Sequence, residues 1–520
     1  NALGLDQISL EMIQLCSSVI LPHITHLINC CIEADYFPTA WKTALIRPLP
    51  KVSSPESPSD LRPISLLPTL SKIFERVLMQ QLRKYSEENE IIPNHQFGFR
   101  QNHSTTTALL HLTDTLIRNL DQKLSSILVT LDYSKAFDKI THELLLAKLS
   151  YYGLCNSSVS LIKSYLCDRG QKVVIGSKFS DVVAVTSGVP QGSVLGPLLF
   201  TIFIADIANV VRNCGIFSYA DDISLVFKFK SEETNTIALL ISDLVAVYEY
   251  SCRHNLTVNT NKSNAVLITS VKDRNHLQNN VNININNETI PWKETVKILG
   301  IHLDECMRFK LHVSHILRHT FSRLKVLYSS RFILNFKTRK KLCESLVLSI
   351  LSYGITVFYT CLDQMHKNRI QKVQNACCRY VFKLRKYDHI SSRFKELNWL
   401  NVGNTASYHL LSLTHRCLIS RRPIDLVKLF KPLSTRSNPR RKLFLLPKHS
   451  TSMFCRSYSY NAITLYNSID QAAKCYNLAL FKTFIFRYLL FKQNSYVNNF
   501  SQKSVFCCIV GWLSGGIACG

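Results

Sequence analysis

Apolar residues recur at three- and four-residue spacing over residues 70–85, which predicts a helix, and the prolines ahead of it, from Pro48 to Pro63, predict loops that feed it. Residues 125–131 are a short run of strand formers ending on Asp132, after which residues 141–152 return to helical spacing. Two short strands are expected around Gly176 within residues 171–185, and a largely apolar helix over 198–211. Between residues 217 and 225, two apolar runs flank the adjacent acids Asp221 and Asp222, a hairpin pattern that places charge where a strand turns back. A second hairpin is expected over 281–287, where apolar residues alternate with asparagine up to an Asn-Asn turn. From about Arg308 strand signals fade and the pattern is mostly helical. Helices and strands thus mix in the first part of the chain, without an internal repeat.

At 520 residues the chain is too long for one core, and about 150 residues per domain suggests roughly three units. A formal net charge of +27 and a pI near 9.5 favour a polyanionic partner, nucleic acid ahead of an anionic membrane. The surplus is concentrated. Residues 308–341 carry Arg308, Lys310, Arg318, Arg323, Lys325, Arg331, Lys337, Arg339, Lys340 and Lys341 without one acid, which favours phosphate-backbone contact over a solvated face of mixed sign.

The 18 cysteines show no Cys-x-x-Cys spacing, and adjacent pairs such as Cys30–Cys31 and Cys377–Cys378 indicate neither a zinc nor a disulfide framework. No secretory signal opens the chain, so reduced thiols in the nucleus or cytoplasm are expected. The first residue is Asn1 rather than methionine, and upstream domains are expected to be missing. Residues 506–520 are apolar and glycine-rich but fall short of the ~20 that span a bilayer. An irregular tail over 501–520 and no membrane partner are therefore expected.

An acid pair buried without a partner is costly, so a divalent metal is the natural complement of Asp221 and Asp222. Asp132 could join them if its strand lay beside the hairpin, an adjacency that spacing alone does not establish. Between these segments, residues 187–200 carry Gly188, Gly192 and Gly196 ahead of the apolar helix, and glycine lets backbone approach a ligand closely. Neither general phosphate-loop pattern fits this stretch. The residues alone describe a metal-dependent site with a glycine-rich wall, or a solvated hairpin tip beside a plain loop.

Leu131-Asp-Tyr-Ser-Lys-Ala-Phe-Asp138, residues 187–200 and residues 217–225 stand in the order and spacing of the palm motifs of reverse transcriptases, and closely resemble those of non-LTR (LINE-like, Jockey-related) retrotransposons. Residues 37–51, 61–67 and 96–100, with 103–105, resemble that family's fingers blocks, and residues 259–263 and 298–304 its later palm blocks. The resemblance extends over roughly residues 1–490. It implies an RNA-templated DNA polymerase with an α+β right-hand fold: fingers, a palm with an antiparallel sheet, and a thumb, followed by a mostly helical C-terminal region. Residues 1–124 would hold the fingers and N-terminal part, 125–305 the palm, 306–400 a basic helical thumb and 401–500 the C-terminal helices.

By the same resemblance, Asp132 and Asp221 would hold two Mg²⁺ ions, with Mn²⁺ as substitute, helped by the backbone carbonyl of Tyr133, while Asp222 completes the cluster. One ion would lower the pKa of the attacking 3′-hydroxyl and the other steady the leaving pyrophosphate. Phe137 matches the steric gate, a bulky ring that rejects a ribose 2′-hydroxyl. Gln191 and Gly192 match the segment that packs against incoming nucleotide and template, and Lys262 the lysine that protonates pyrophosphate. Lys51 and Arg62 resemble the fingers cations that grip the triphosphate. Arg308, Lys310, Arg318, Arg323 and Lys325 would contact nucleic acid. His312, His315 and His319 stand at a spacing suited to a metal face, but the family begins a basic thumb helix there, so phosphate contact or plain surface is expected. The implied partners are an RNA template, a DNA primer or target, and dNTPs.

Residues 351–354, 369–375 and 461–467 also resemble the family, with two departures: Phe358 and Tyr466 stand where relatives usually carry tryptophan. Aromatic exchanges of this kind need not abolish packing, and are also what drift in an unselected copy would produce. The endonuclease that usually precedes this polymerase is absent from these residues, and neither a cysteine-histidine knuckle nor a ribonuclease H acid set is recognisable. A catalytically silent relic or co-opted RNA-binding protein is the alternative reading. An RNA-dependent RNA polymerase is disfavoured by Phe137 and by Ala220 ahead of the acid pair, and a group II intron enzyme by the C-terminal blocks.

Overall fold

The computed structural model describes residues 3–494, apart from 271, 275–276, 278–280, 287 and 434–442. The tail at 501–520 lies outside the described residues. Of the prolines at 48–63, Pro55 and Pro58 stay in the connecting segment as expected, but Pro48, Pro50 and Pro63 do not lie in loops: strands β1 (Thr43–Pro50) and β2 (Leu61–Leu66) pair as an antiparallel hairpin with Pro48 opposite Pro63. Proline lacks the ladder donor, so an exposed, short hairpin is where a strand can carry it. The helix Thr69–Glu88 follows, burying Phe74, Leu78 and Leu82 at four-residue spacing as predicted.

The central sheet is built around β3 (Ser125–Leu131), whose side chains are buried on both faces. A second, smaller sheet joins the β1–β2 hairpin to β4 (Arg169–Ile175), which carries β5 (Lys178–Phe179) and β6 (Val183–Val185). Gly176 turns β4 into β5 as expected, and β6 is a third strand that returns to β4. Since β1 and β4 pair in parallel, this sheet crosses the expected fingers–palm boundary at 124/125. Strands β7 (Gly215–Tyr219) and β8 (Asp222–Phe229) form the acid-tipped hairpin, and with β9 (Asn264–Ile268) the central sheet runs in the order β7-β8-β3-β9, antiparallel throughout.

Strand alternation divides the core between the sheet's two faces. Ile127, Val129, Leu131, Leu225 and Phe227 pack on the helices Gly196–Phe203 and Ile237–Arg253. Leu128, Val226, Val266 and Ile268 face the helix Thr105–Asp121 and the hairpin of β12 (Thr295–Ile298) with β13 (Ile301–Asp304). The short pair β10 (Asn284–Ile285) and β11 (Glu288–Thr289) confirms the asparagine hairpin. The helix expected over 198–211 is α-helical only over Gly196–Phe203; a 3-10 segment, Ala205–Val210, replaces its second half.

Beyond β13 the chain is helical, with Lys310–Ser329, Phe336–Cys343, Gln364–Phe382, Val402–Ser420 and Leu478–Asn494 as its main segments. The helical run Phe336–Cys361 is long and apolar enough by composition to cross a membrane, yet Gly354 breaks it at φ 60° and much of it packs into the core. The C-terminal region docks on the helix behind the sheet: Asp114 accepts the Ser459 N–H (2.8 Å) and Asp121 those of Ser450 (3.0 Å) and Thr451 (2.7 Å). Both aromatic departures are buried. Phe358 lies edge-on to His312, and the Tyr466 hydroxyl bonds the His415 ring at 2.9 Å.

Candidate active site

Leu131 pairs with Ile223 across β3 and β8, so Asp132, one residue past the end of β3, comes beside Asp222 at the start of β8. The acids that sequence could not join therefore belong to neighbouring strands. Asp222 and Asp132 line one cavity of about 240 Å³ with Lys262, Asn264, Lys293 and Lys297. Asp221 sits in the turn itself and does not line that cavity. Burial pushes its carboxyl above the ordinary carboxylate range, and Asp132 adds to the shift. The Asp222 carboxyl is pushed up to about 6 by desolvation, then by Asp221 and Asp132.

Two carboxylates raised by burial and by the negative charge beside them, with Asp132 adjacent, fit a divalent cation, whose charge would relieve the crowding. Among the described residues no group of three or more His, Cys, Asp or Glu side chains is already gathered at ligating geometry. The acids are neighbours but not a closed cage.

Lys262 Nζ stands 3.9 Å from Asp132 Oδ2 with most of its side chain in solvent. Its loop is tied to the end of β3: the Asn259 N–H donates to the Asp132 carbonyl at 2.7 Å, and the Ser263 hydroxyl donates to the Asn259 carbonyl at 2.8 Å. The Tyr133 side chain turns into the core, its hydroxyl 2.7 Å from Ser251 Oγ, and burial pushes the phenol up to about 12. Only its backbone carbonyl can therefore serve a ligand. The Phe137 ring is half-buried, stacked on Phe200 at 4.4 Å and edge-on to Phe99 at 6.3 Å. Contacts on two sides hold that ring in one orientation.

The glycine-rich stretch is a wall, but it approaches protein rather than open space. At Gly192 (φ 126°) a Cβ would stand 2.7 Å from the Ser65 carbonyl oxygen of β2, and the Ser65 N–H donates to the Gln191 carbonyl at 2.8 Å. Gln191 Nε2 donates to Asp138 Oδ1 at 2.8 Å, which binds the wall to the segment after Asp132. Behind them lies a cleft of about 440 Å³ lined by Ser65, Asp138, Arg169, Gln171 and Gln191 among others. Lys51 and Arg62 are exposed on the β1–β2 hairpin, Lys51 Nζ donating to the Ser59 carbonyl at 2.8 Å. No hydrogen bond or ion pair among the described residues joins either to the acids.

In the basic stretch Arg308, Lys310, Arg318, Arg323 and Lys325 are all exposed; Arg323 Nη1 also donates to the Leu346 carbonyl at 3.2 Å. Arg339 departs from the phosphate-contact expectation. It is 5% exposed, its guanidinium bonding the carbonyls of Val381 (3.0 Å) and Leu334. His312 is a second correction, since it is neither surface nor phosphate contact but buried under β13, where desolvation lowers it to about 4. His315 and His319 remain exposed.

Two residues that pattern reading missed organise the site. Glu75, fully buried on the helix Thr69–Glu88, accepts the N–H groups of Val194 (2.7 Å) and Leu195 (3.1 Å) at the entry to the Gly196–Phe203 helix; burial pushes its carboxyl up. Its signal was an acid beside the apolar stripe. Gln96 grips the acid-bearing turn itself. Its Oε1 accepts the Ala220 N–H at 2.9 Å and its Nε2 donates to the Ala220 carbonyl at 3.2 Å. Ala220 has φ 58°, a left-handed conformation that costs a non-glycine residue about 1 kcal/mol.

Residues 49–303 match the family model described as reverse transcriptase (RNA-dependent DNA polymerase). The probable RNA-directed DNA polymerase from transposon BS of Drosophila melanogaster is 31% identical over 420 residues, covering 76% of this chain and 45% of that protein. The RNA-directed DNA polymerase from mobile element jockey of the same organism is 29% identical over 392 residues, 73% of this chain and 42% of that one. The chain spans less than half the length of these curated relatives. A telomerase structure from Candida albicans superposes with a TM-score of 0.36 at 12% identity, covering 70% of this chain and 65% of that one.

Proposed function

Residues 49–303 of this chain belong to the reverse transcriptase family, and from that premise we propose that it is an RNA-directed DNA polymerase of a non-LTR retrotransposon, adding dNTPs to a primer 3′-hydroxyl on an RNA template. The observation that carries this reading is Asp132 brought beside Asp222 on the adjacent strand, with Asp221 in the intervening turn.

Asp132, Asp221 and Asp222 would hold divalent ions, proposed to be a Mg²⁺ pair for which Mn²⁺ substitutes, with the Tyr133 carbonyl as a further ligand. When bound, such ions supply charge for deprotonating the 3′-hydroxyl and for stabilising the leaving pyrophosphate. The chain's own groups do the rest. Lys262, already near Asp132, offers its ammonium proton to the pyrophosphate. Phe137, braced by Phe200 and Phe99, meets the sugar and excludes a 2′-hydroxyl. Gln191 and Gly192, fixed on Asp138 and Ser65, form a wall for the incoming nucleotide, while Lys51 and Arg62 reach its triphosphate from the β1–β2 hairpin. Arg308, Lys310, Arg318, Arg323 and Lys325 attract the backbone of the template–primer duplex. Priming on a nicked DNA target, and supply of the nick by an endonuclease outside these residues, complete the proposal, along with action in the nucleus or cytoplasm.

Primer extension on an RNA template with Mg²⁺ tests it. Wild-type chain is expected to incorporate dNTPs and reject rNTPs, Asp221→Ala to abolish incorporation, and Phe137→Val to admit rNTPs. A folded wild-type chain that incorporates no dNTP sinks the reading, and a Phe137→Val chain that still excludes rNTPs removes the gate.

A further inference from the structure

Gln96 makes no hydrogen bond to the three acids, yet its side chain bonds both backbone groups of Ala220, the residue just ahead of Asp221. It is 2% exposed and belongs to a segment that straps across the tip of the β7–β8 hairpin. The Ser218 N–H donates to the His95 carbonyl at 2.9 Å and the Phe97 N–H to the Ser218 carbonyl at 2.8 Å, so the strap pairs with β7 like an added strand. Arg100 Nη1 closes the strap on itself, donating to the Pro93 carbonyl at 2.8 Å. From this base the Gln96 amide satisfies both backbone groups of Ala220, and its Oε1 also accepts the Gly98 N–H at 2.8 Å. The approach is close enough that a Cβ on Gly98 would stand 2.3 Å from the Ala220 nitrogen.

The geometry points to Gln96 as a positioning residue for the metal-binding acids: it holds Ala220 in the left-handed conformation that turns Asp221 and Asp222 toward Asp132. Ala220 is buried, so its N–H and carbonyl need partners from the protein, and its positive φ is unfavourable for an L-residue. An amide, which donates and accepts at once, suits both groups of a single residue. Were those two bonds lost, Ala220 would relax toward ordinary φ values. The peptide planes on either side would rotate, and Asp221, the next residue, would move with them. This rests on the acids being the catalytic site proposed above. It adds that their arrangement is set by an amide 124 positions upstream.

Mn²⁺ binding to the resting full-length chain, followed by electron paramagnetic resonance of free Mn²⁺, tests this without turnover, with Asp221→Ala as the reference for loss of the site. Gln96→Met, which keeps length and burial but cannot hydrogen-bond, is expected to weaken Mn²⁺ binding about tenfold and to lower kcat while KM for dNTP stays within about twofold. Adding Ala220→Gly to Gln96→Met is expected to recover most of the binding, because glycine takes φ near 58° without strain. A folded Gln96→Met chain with wild-type Mn²⁺ affinity overturns the inference, and so does a double variant that recovers nothing. If Gln96→Met does not fold, Gln96→Asn carries the same comparison, its amide falling one methylene short of Ala220. Wild-type chain that binds Mn²⁺ at the acids but extends no primer counts against the polymerase reading and leaves the role of Gln96 standing.

Discussion

At the β7–β8 turn two carboxylates are fixed by backbone pairing, by the Gln96 amide and by a left-handed Ala220, whereas along residues 308–341 ten cations stand on or beside helices, most of them exposed with few bonds of their own. The turn brings Asp221 and Asp222 close to Asp132, and Asp222 is raised by both of the others, so the position of each matters. On the proposed reading the basic stretch acts through number. Its exposed cations sit in water, where each contributes little and a polyanion responds to their sum. Removal of one charge should therefore have very different consequences in the two regions.

The largest effect is expected at Asp132→Asn, which keeps shape and removes the charge that faces both turn acids. Primer extension should fall by about a thousandfold, roughly 4 kcal/mol of barrier at 1.36 kcal/mol per tenfold, while urea unfolding stays near wild type. Loss of less than about tenfold would mean that the turn tolerates misplacement as the basic helices do, and the contrast would fail.

Arg339→Leu is expected to come next, and it sharpens the contrast from the other side. Its guanidinium is buried among the Val381, Leu334 and Arg331 carbonyls, so the replacement strips donors from buried acceptors. A loss of about 2–4 kcal/mol in urea unfolding is expected, with the salt dependence of RNA binding unchanged. An altered salt slope at wild-type stability would return Arg339 to the nucleic-acid surface.

The pairing of local signal with distant partner explains what could be read from the chain. The strand ending on Asp132 and the hairpin around Asp221 were legible because each is written in a few consecutive residues, and the resemblance to reverse transcriptase motifs supplied the rest. Glu75, Gln96 and Arg339 were not. Glu75 meets its backbone donors 119 and 120 positions away and Gln96 meets Ala220 124 positions away, so no window of sequence contains both partners. Arg339 looks like its lysine neighbours until Val381, on another helix, supplies an acceptor. His312 misled for the same reason, since helical spacing groups it with exposed His315 and His319 while β13 covers it alone. The glycine wall was legible as glycine but not as to purpose: at Gly192 the bare Cα accommodates the Ser65 carbonyl, a contact between this loop and β2 that the sequence does not announce.

Arg318→Ala should produce the smallest effect and is the most direct probe of action by number. Arg318 is exposed on the helix Lys310–Ser329, with Arg308, Lys310, Arg323 and Lys325 in the same acid-free stretch. Loss of one phosphate contact should lower the slope of log affinity against log salt by about one unit and weaken binding a few-fold at moderate salt, equally for unrelated RNA sequences. Catalysis at saturating template should be unaffected. Because exposed cations act almost independently, pairing Arg318→Ala with Lys325→Ala should double the change in slope. A sequence-dependent loss, or a fall in kcat at saturation, would instead give Arg318 a placed role like that of the acids, and residues 308–341 would have to be divided as Arg339 already divides them.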